Sequence, residues 1–397
     1  MPNDPLLTRA RALREELVEL RRDIHRHPEL AFHEERTAAA GQHFLEALGL
    51  SVQSRIAGTT GLVATLDSGR PGRTLMIRAD MDALPIVEAS GADYVSRTEG
   101  VMHACGHDVH VACLLGAAKL LAQDKERLQG KVKFVLQPAE EAPPGGAKVL
   151  IEQGGILDGV DAALALHVHG GFTVGQVAFR SGQMLAHSDR FDIVIRGVGG
   201  HAARPHLTVD AIAVAVQVYQ ALQYLVSREN DPLHPFVITV GSIHGGKAAN
   251  VITDEVTMLG TTRCLDDKAA EQLPEKMERV VRGVCQAARA KVDVTFQRGY
   301  PALFNDPAFT ELAIRSAQGL LGDTNVHLIA RAEMGGEDFA YFSRRVPATM
   351  FRLGVRNEAK GIVHPVHSPR FNVDEDALPL GAATLARIAM DYVTGGK

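Results

Sequence analysis

The sequence predicts an α/β protein whose mostly parallel sheet is interrupted by an inserted α+β module of ferredoxin-like order. Three observations carry that reading. Short apolar strands alternate with amphipathic helical patterns over the first part of the chain, from about residue 185 the order becomes βαββαβ, and α/β character returns after about Pro301.

Taken in order, Asp4-Pro5 reads as a helix cap followed by proline in the first turn, and Leu13, Leu17, Leu20 and Ile24 repeat at helical spacing until Pro28 stops them. One helix is expected there, packed on the main domain. Strands are expected at 62–66, 75–77, 132–136 and 162–166. Between them lies the helical pattern of Val111, Leu114, Leu115, Ala118 and Leu121. The inserted module is expected to run strand 191–195, helix 210–225, strands 236–243 and 255–263, helix 269–288 and strand 292–296. This gives three segments: 1–184 and 302–397 as one domain, and 185–301 as a satellite domain inserted between them.

Bulk properties bound the function. A chain of 397 residues is long for one core, so two domains is the expectation, and an apolar content of 46% supports both. The balance of 42 basic against 47 acidic residues gives a net charge of −5 with no basic run, which argues against nucleic acid as a partner. Met1-Pro2-Asn3-Asp4-Pro5 leads into a charged helix without the apolar core of a secretory signal, so a cytoplasmic protein is expected. The apolar runs at 111–115 and 211–216 are too short to span a bilayer, so no membrane partner is expected. Cys105, Cys113, Cys264 and Cys285 lie far apart, as reduced thiols do.

Four clusters carry the chemistry: His103-Ala104-Cys105-Gly106-His107-Asp108, Gln137-Pro138-Ala139-Glu140-Glu141, Leu166-His167-Val168-His169 and His364-Pro365-Val366-His367-Ser368-Pro369. Thiolate, imidazole and carboxylate together suit a divalent transition metal, and five or more such groups in one site would hold two ions. In an extended segment Cys105 and His107 would point to one side, with Asp108 placed to cap the following helix. Adjacent Glu140 and Glu141 face opposite ways in a strand, so both reach one site only if the backbone leaves the strand at Pro138. His167 is expected to end its strand, with His169 a competitor; His364 and His367 raise the same ambiguity.

On these motifs the chain resembles the cocatalytic-metal amidohydrolases and metallopeptidases, which include aminoacylases, hippurate hydrolases and hydrolases of indole-3-acetyl-amino acids. The resemblance runs from Arg21-Arg22-Asp23-Ile24-His25 and Pro28-Glu29-Leu30 through Arg78-Ala79-Asp80-Met81-Asp82-Ala83-Leu84-Pro85 and the four clusters. It continues through Gly199-Gly200-His201-Ala202-Ala203, Pro205-His206, Asn250-Val251-Ile252 and Gly335-Gly336-Glu337-Asp338-Phe339. It implies a metallopeptidase-like catalytic domain in two segments around a satellite domain. It also selects His167 and His367, makes Cys105 the bridge between two ions, completes one ion with His107 and His167, and completes the other with Glu141 and His367. Arg78 stands where related subgroups carry a His ligand, and Asp80 is implied to orient a ligand imidazole. The run Ala142-Pro143-Pro144-Gly145-Gly146 departs from the family pattern and leaves substrate size open.

An amide carbonyl is a poor electrophile and water a poor nucleophile; two ions meet both problems by acidifying water and polarising the carbonyl. The resemblance gives Glu140 the proton transfer from water to the leaving amine. It gives His201 the stabilisation of the tetrahedral oxyanion, often across a homodimer, and Asn250 and Arg263 the substrate carboxylate. The expected activity is hydrolysis of N-acyl-L-amino acids, hippurate-like or N-acetyl. A dipeptidase or carboxypeptidase on the same scaffold is the alternative, and a non-catalytic binding protein a further one, against which Glu140 argues. Zinc leads among the metals, with manganese, cobalt and nickel behind it.

Overall fold

The computed structural model describes residues 4–395, so Met1-Pro2-Asn3 and the last two residues lie outside the described span. The chain divides into two compact units. The larger comprises Met1–Gly182, Phe304–Arg331 and Asp338–Lys397, and the smaller Gln183–Leu303 and Ala332–Glu337.

In the larger unit Asp4 caps α1 (Pro5–Ala12), its carboxylate accepting the Leu6 N–H at 2.8 Å. The expected single helix is in fact two. Leu13 closes a tighter turn, its N–H bonding to the Ala10 carbonyl, and α2 (Arg14–Arg26) begins on a new heading. Leu6, Leu7 and Ala10 of the first helix and Leu17, Val18 and Ile24 of the second are thereby all buried. Then follow α3 (Glu35–Ala47), β1 (Ser51–Gln53), β2 (Leu62–Asp67), β3 (Thr74–Asp80), α4 (His107–Gln123), β4 (Lys131–Gln137), α5 (Gly146–Glu152), β5 (Ala162–Thr173) and β6 (Val177–Phe179).

After β13 the chain adds β14 (Leu303–Asn305), α8 (Pro307–Leu321), β15 (Val326–Leu328), α9 (Ala340–Ser343), β16 (Ala348–Arg356) and α10 (Ala377–Val393), numbered along the whole chain. Eight strands form one sheet in the order β1-β2-β4-β3-β5-β16-β6-β15. The pairs β3–β4, β3–β5, β5–β16 and β6–β15 are parallel, and antiparallel pairs lie towards the two edges. Every residue of β3 is buried, as a parallel strand covered on both faces requires. Helices α4 and α10 meet where Gly116 and Gly381 remove side chains: a Cβ on Gly381 would lie 2.6 Å from Cys113 Sγ. His167 does not end its strand; β5 stays paired with β16 as far as Thr173, so the histidine sits within it.

The smaller unit opens with the residues after Gly182 of β7 (Gly182–Leu185). It then runs β8 (His187–Arg196), β9 (Gly200–His201), α6 (Ala211–Tyr224), β10 (Phe236–Gly245), β11 (Val251–Ile252), β12 (Glu255–Cys264), α7 (Asp267–Ala287) and β13 (Lys291–Tyr300). Its main sheet is antiparallel in the order β10-β12-β8-β13, the ferredoxin-like arrangement. Alternate residues Phe191, Ile193 and Ile195 of β8 are buried with Val214, Val218 and Leu222 of α6 and Met277, Val281 and Cys285 of α7. Asp210 and Asp266 cap the two helices through their carboxylates. No helix of the described residues is long and apolar enough to cross a membrane.

Candidate active site

A turn at the start of α4, a turn at the carboxyl end of β4 and the segment of His367 build the site of the larger unit around His167 of β5; open α/β sheets bind ligands at the carboxyl ends of their strands. The first turn is at Gly106. The segment is not extended: Gly106 has φ of 86°, His107 is the first residue of α4, and a Cβ at 106 would lie 2.5 Å from Val168 Cγ2. Glycine is required on both counts. Cys105 and His107 therefore converge through a left-handed turn rather than through strand alternation. Asp108 does not cap the helix. Its carboxylate instead accepts from Arg21 Nε at 2.6 Å and bonds His25 Nδ1 at 2.8 Å, both buried.

Two imidazoles are fixed with Nε2 turned to Cys105. His107 Nδ1 donates to the Asp82 carbonyl at 2.7 Å, and His167 Nδ1 donates to the Val168 carbonyl at 2.8 Å. These bonds set the tautomer that leaves the Nε2 lone pair available. His167 Nε2 lies 3.5 Å from Cys105 Sγ, while His107 Nε2 is buried without a hydrogen-bond partner.

The second turn follows β4. Pro138 ends the strand, and Ala139 takes a left-handed φ of 52°. Its N–H donates to Glu34 Oε1 at 2.9 Å, and the next two N–H groups, of Glu140 and Glu141, donate to Asp82 Oδ1 and Oδ2 at 3.0 and 2.9 Å. The backbone has left the strand, so both glutamates reach one place. The third element is the segment of His367. There φ is 65°, the backbone N–H donates to the Ala104 carbonyl at 2.8 Å, and Nε2 lies 3.1 Å from Glu141 Oε1.

Of the five groups of potential ligand atoms among the described residues, two contain Cys105. Cys105, His107 and His167 form one, and Cys105, Glu141 and His367 the other, the atoms of each lying within 4.8 Å of one another. Cys105 belongs to both. His107, Glu140 and Glu141 also fall within 4.8 Å, which adds the sixth residue to the same locus. The donors fit divalent cations: the buried His107 Nε2 lacks a hydrogen-bond partner, and sulfur, nitrogen and oxygen donors together suit a borderline-soft ion. Burial, then the Glu141 charge, pushes the Cys105 thiol up. Hydrogen bonding to Cys105, then to Glu141, raises His367 to about 10. A divalent cation reverses both preferences, because it binds the deprotonated forms.

The resemblance implies that Asp80 orients a ligand imidazole. In the structure its Oδ1 bonds His110 Nδ1 at 2.6 Å, its Oδ2 accepts from Arg78 Nη1 at 2.7 Å, and Oδ2 is 3.5 Å from His107 Nε2. The nitrogen of His107 that needs orienting is held by Asp82. His110 is engaged at both nitrogens, since its Nε2 accepts the Val168 N–H at 3.0 Å. Arg78 is buried between Asp80 and Asp338, with Nε donating to Gln137 at 2.9 Å. His169 folds back to accept the Gly171 N–H. Neither His169 nor His364 joins a ligand group among the described residues. The supporting roles of Asp82, His110 and Glu34 escaped the sequence reading; only Asp82 stood in a motif quoted for its resemblance.

Within the smaller unit, His201 and Asn250 are neighbours. His201 pairs with Val251 across β9 and β11, and the Ala202 N–H donates to the Asn250 carbonyl at 3.1 Å. The exposed His201 ring accepts the Ala203 N–H at Nδ1, which leaves Nε2 outward. Arg263 is elsewhere, half-buried in β12, donating to the Thr262 carbonyl at 3.0 Å. Burial, then the charge of Arg190, lowers its pKa.

This fold and its donor set define a class: the metal-dependent amidohydrolases and metallopeptidases. The chain belongs to peptidase family M20/M25/M40, whose model matches residues 76–391. It is 38% identical over 384 residues to thermostable carboxypeptidase 1 of Saccharolobus solfataricus, covering 96% of each protein. Its identity to IAA-amino acid hydrolase ILR1-like 4 of Arabidopsis thaliana is 40% over 381 residues, 95% of this chain and 86% of that one. A solved structure of a dinuclear metal binding peptidase of the M20 family from Bacillus subtilis aligns with a TM-score of 0.84 and 32% identity, over 97% of this chain and 99% of that one. The chain is accordingly an enzyme of the M20 hydrolase family.

Proposed function

We propose that this enzyme is a two-metal amidohydrolase that splits N-acyl-L-amino acids, hippurate-like or N-acetyl, into a carboxylic acid and a free amino acid. The observation that carries the proposal is the sharing of Cys105 between two ligand groups, with Glu140 within the same reach. His107 and His167 would hold one ion with Cys105, and Glu141 and His367 the other. Bound ions supply Lewis acidity to water and to the amide carbonyl. Zinc suits thiolate and imidazole best, with manganese, cobalt and nickel as substitutes.

Glu140 takes the proton of the attacking water and delivers it to the leaving nitrogen, acting as base and then as acid. Asp82 holds the backbone of Glu140 and Glu141, and through its carbonyl the His107 ring. His201 donates to the tetrahedral oxyanion, and Asn250 and Arg263 hold the substrate carboxylate, a task for which the guanidinium fork is suited. The working form is a homodimer. Its support is the edge strand β10, with Val237 and Ile243 exposed, beside an α6 that exposes Ile212, Val216 and Tyr219 at helical spacing. Four buried free thiols fit a reducing compartment, so the enzyme works in the cytoplasm.

Similarity to a carboxypeptidase favours a second reading, cleavage of short peptides by the same chemistry. Assaying metal-loaded enzyme against a panel of N-acyl amino acids and dipeptides separates the two. Higher kcat/KM on N-acyl amino acids supports the first reading, and higher values on dipeptides replace it with the second.

A further inference from the structure

We propose that Glu34 is a positioning residue for Glu140, shaping the turn that aims the glutamate pair. The inference rests on Glu140 being the base. Glu34 is fully buried, and three donors from three parts of the chain converge on its carboxylate. The Phe32 and Ala139 N–H groups both reach Oε1 at 2.9 Å, and the Thr60 hydroxyl donates to Oε2 at 2.6 Å.

The bond to Ala139 is the one with consequences for the site. Ala139 is a buried non-glycine residue in the left-handed region, a conformation held only where surrounding contacts over-determine it. Glu34 grips its N–H while Asp82 grips the next two. Three consecutive amides, of residues 139, 140 and 141, thus point into two buried carboxylates. From the other side, the Gly146 N–H closes on the Ala139 carbonyl at 3.0 Å. That clamp is what turns two adjacent glutamates towards one locus.

The choice of a carboxylate supports a positioning role over mere packing. Its charge is buried beside three uncharged donors, and the Asp82 charge bears on it as a further cost. An apolar or amide side chain would avoid that desolvation. Both carboxylate oxygens accept, Oε1 from two backbone N–H groups and Oε2 from the Thr60 hydroxyl; Gln keeps one acceptor oxygen, weaker without the charge, and its NH₂ forces the Thr60 hydroxyl from donor to acceptor. Glu34 is itself rigidly mounted at the start of α3, where its carbonyl accepts the Ala38 N–H at 2.9 Å. Glu29 secures the same helix end by accepting the Arg36 and Thr37 N–H groups.

Glu34→Gln tests this with three readouts: metal content, steady-state kinetics and amide hydrogen exchange across residues 139–141 in metal-free protein. The expected result is unchanged metal content at saturation, KM near the parent's, kcat lower by roughly 10–10²-fold, and faster exchange at those amides, since small misplacement of a reacting group costs this much. Thr60→Val, which removes one donor to Glu34 without disturbing its charge, should shift kcat and exchange in the same direction by less, and it serves if Glu34→Gln does not fold. Parental kcat, or parental exchange at 139–141, in the folded variant overturns the role of Glu34. A fully active Glu140→Gln control instead removes Glu140 as base, and the exchange measurement keeps that failure separate from this one.

Discussion

The backbone N–H of His367 donates to the carbonyl of Ala104 at 2.8 Å, so a residue near the end of the chain is fixed against the one preceding Cys105. That bond seats the His367 ring 3.1 Å from Glu141 and within one ligand group with Cys105. The thiol is then the atom on which both groups depend.

Cys105→Ser should therefore lose metal from both groups. A neutral hydroxyl poorly replaces a thiolate. Metal analysis after dialysis should find well under two equivalents in the variant; two full equivalents would remove Cys105 as the shared ligand.

Arg78 offers a stability test at a residue that is not itself a candidate ligand. It is buried between Asp80 and Asp338, with Nη–Oδ distances of 2.7 Å to each. Arg78→Met removes the guanidinium from both carboxylates and leaves Asp80 with His110 and Asp338 with Gln137 and the Ala147 N–H, and urea unfolding should show a loss of about 3–5 kcal/mol. A loss under about 1 kcal/mol would mean that these remaining partners suffice.

How much of this was legible beforehand differs by element. Strands β2, β3, β4 and β5, the four long strands of the smaller unit and the helices α6 and α7 follow from apolar periodicity, which is local, so their positions could be read directly; β1, β6, β15 and the central strand β16 were not read. The five candidate ligands were legible as residue types in clusters. How Cys105 and His107 converge was not, because a left-handed turn at Gly106 replaces the extended geometry expected from their spacing, whereas the departure from the strand at Pro138 was legible and only its left-handed Ala139 was not. Asp108 looked like a helix cap, yet Arg21, 87 residues away, claims its carboxylate. Glu34 reaches Ala139 across 105 residues, and such a contact leaves no period in the sequence.

His25 gives a pH dependence of stability. Burial and Arg21 press its pKa down, but Asp108 at Nδ1 and Glu88 at Nε2 prevail and the net shift is upward; His103 and Tyr94 are the ring neighbours. A raised histidine pKa contributes stability that is complete below the unfolded value, ~6.5, and is lost as pH rises through the folded value. The stability gap between the parent and His25→Gln should be widest at acidic pH and narrow above neutrality. A gap that widens with pH would reverse the assignment.

His201 is tested by subunit mixing. Losing one oxyanion donor should lower turnover in His201→Ala by roughly 10²–10³-fold while metal content is kept. If His201 serves the partner's site, a mixed dimer with Glu140→Gln has one site carrying both lesions and one carrying neither. Activity should then return on subunit exchange, and no recovery after confirmed exchange would confine His201 to its own subunit or exclude it.

The most direct test of the account is turnover of an N-acyl amino acid by metal-loaded Glu140→Gln. The amide cannot accept a proton from water, while the ligand groups containing Cys105 do not include residue 140. The variant should hold two equivalents of metal, as the parent does, with turnover reduced by at least about 10²-fold. Parental turnover at full metal content would contradict it.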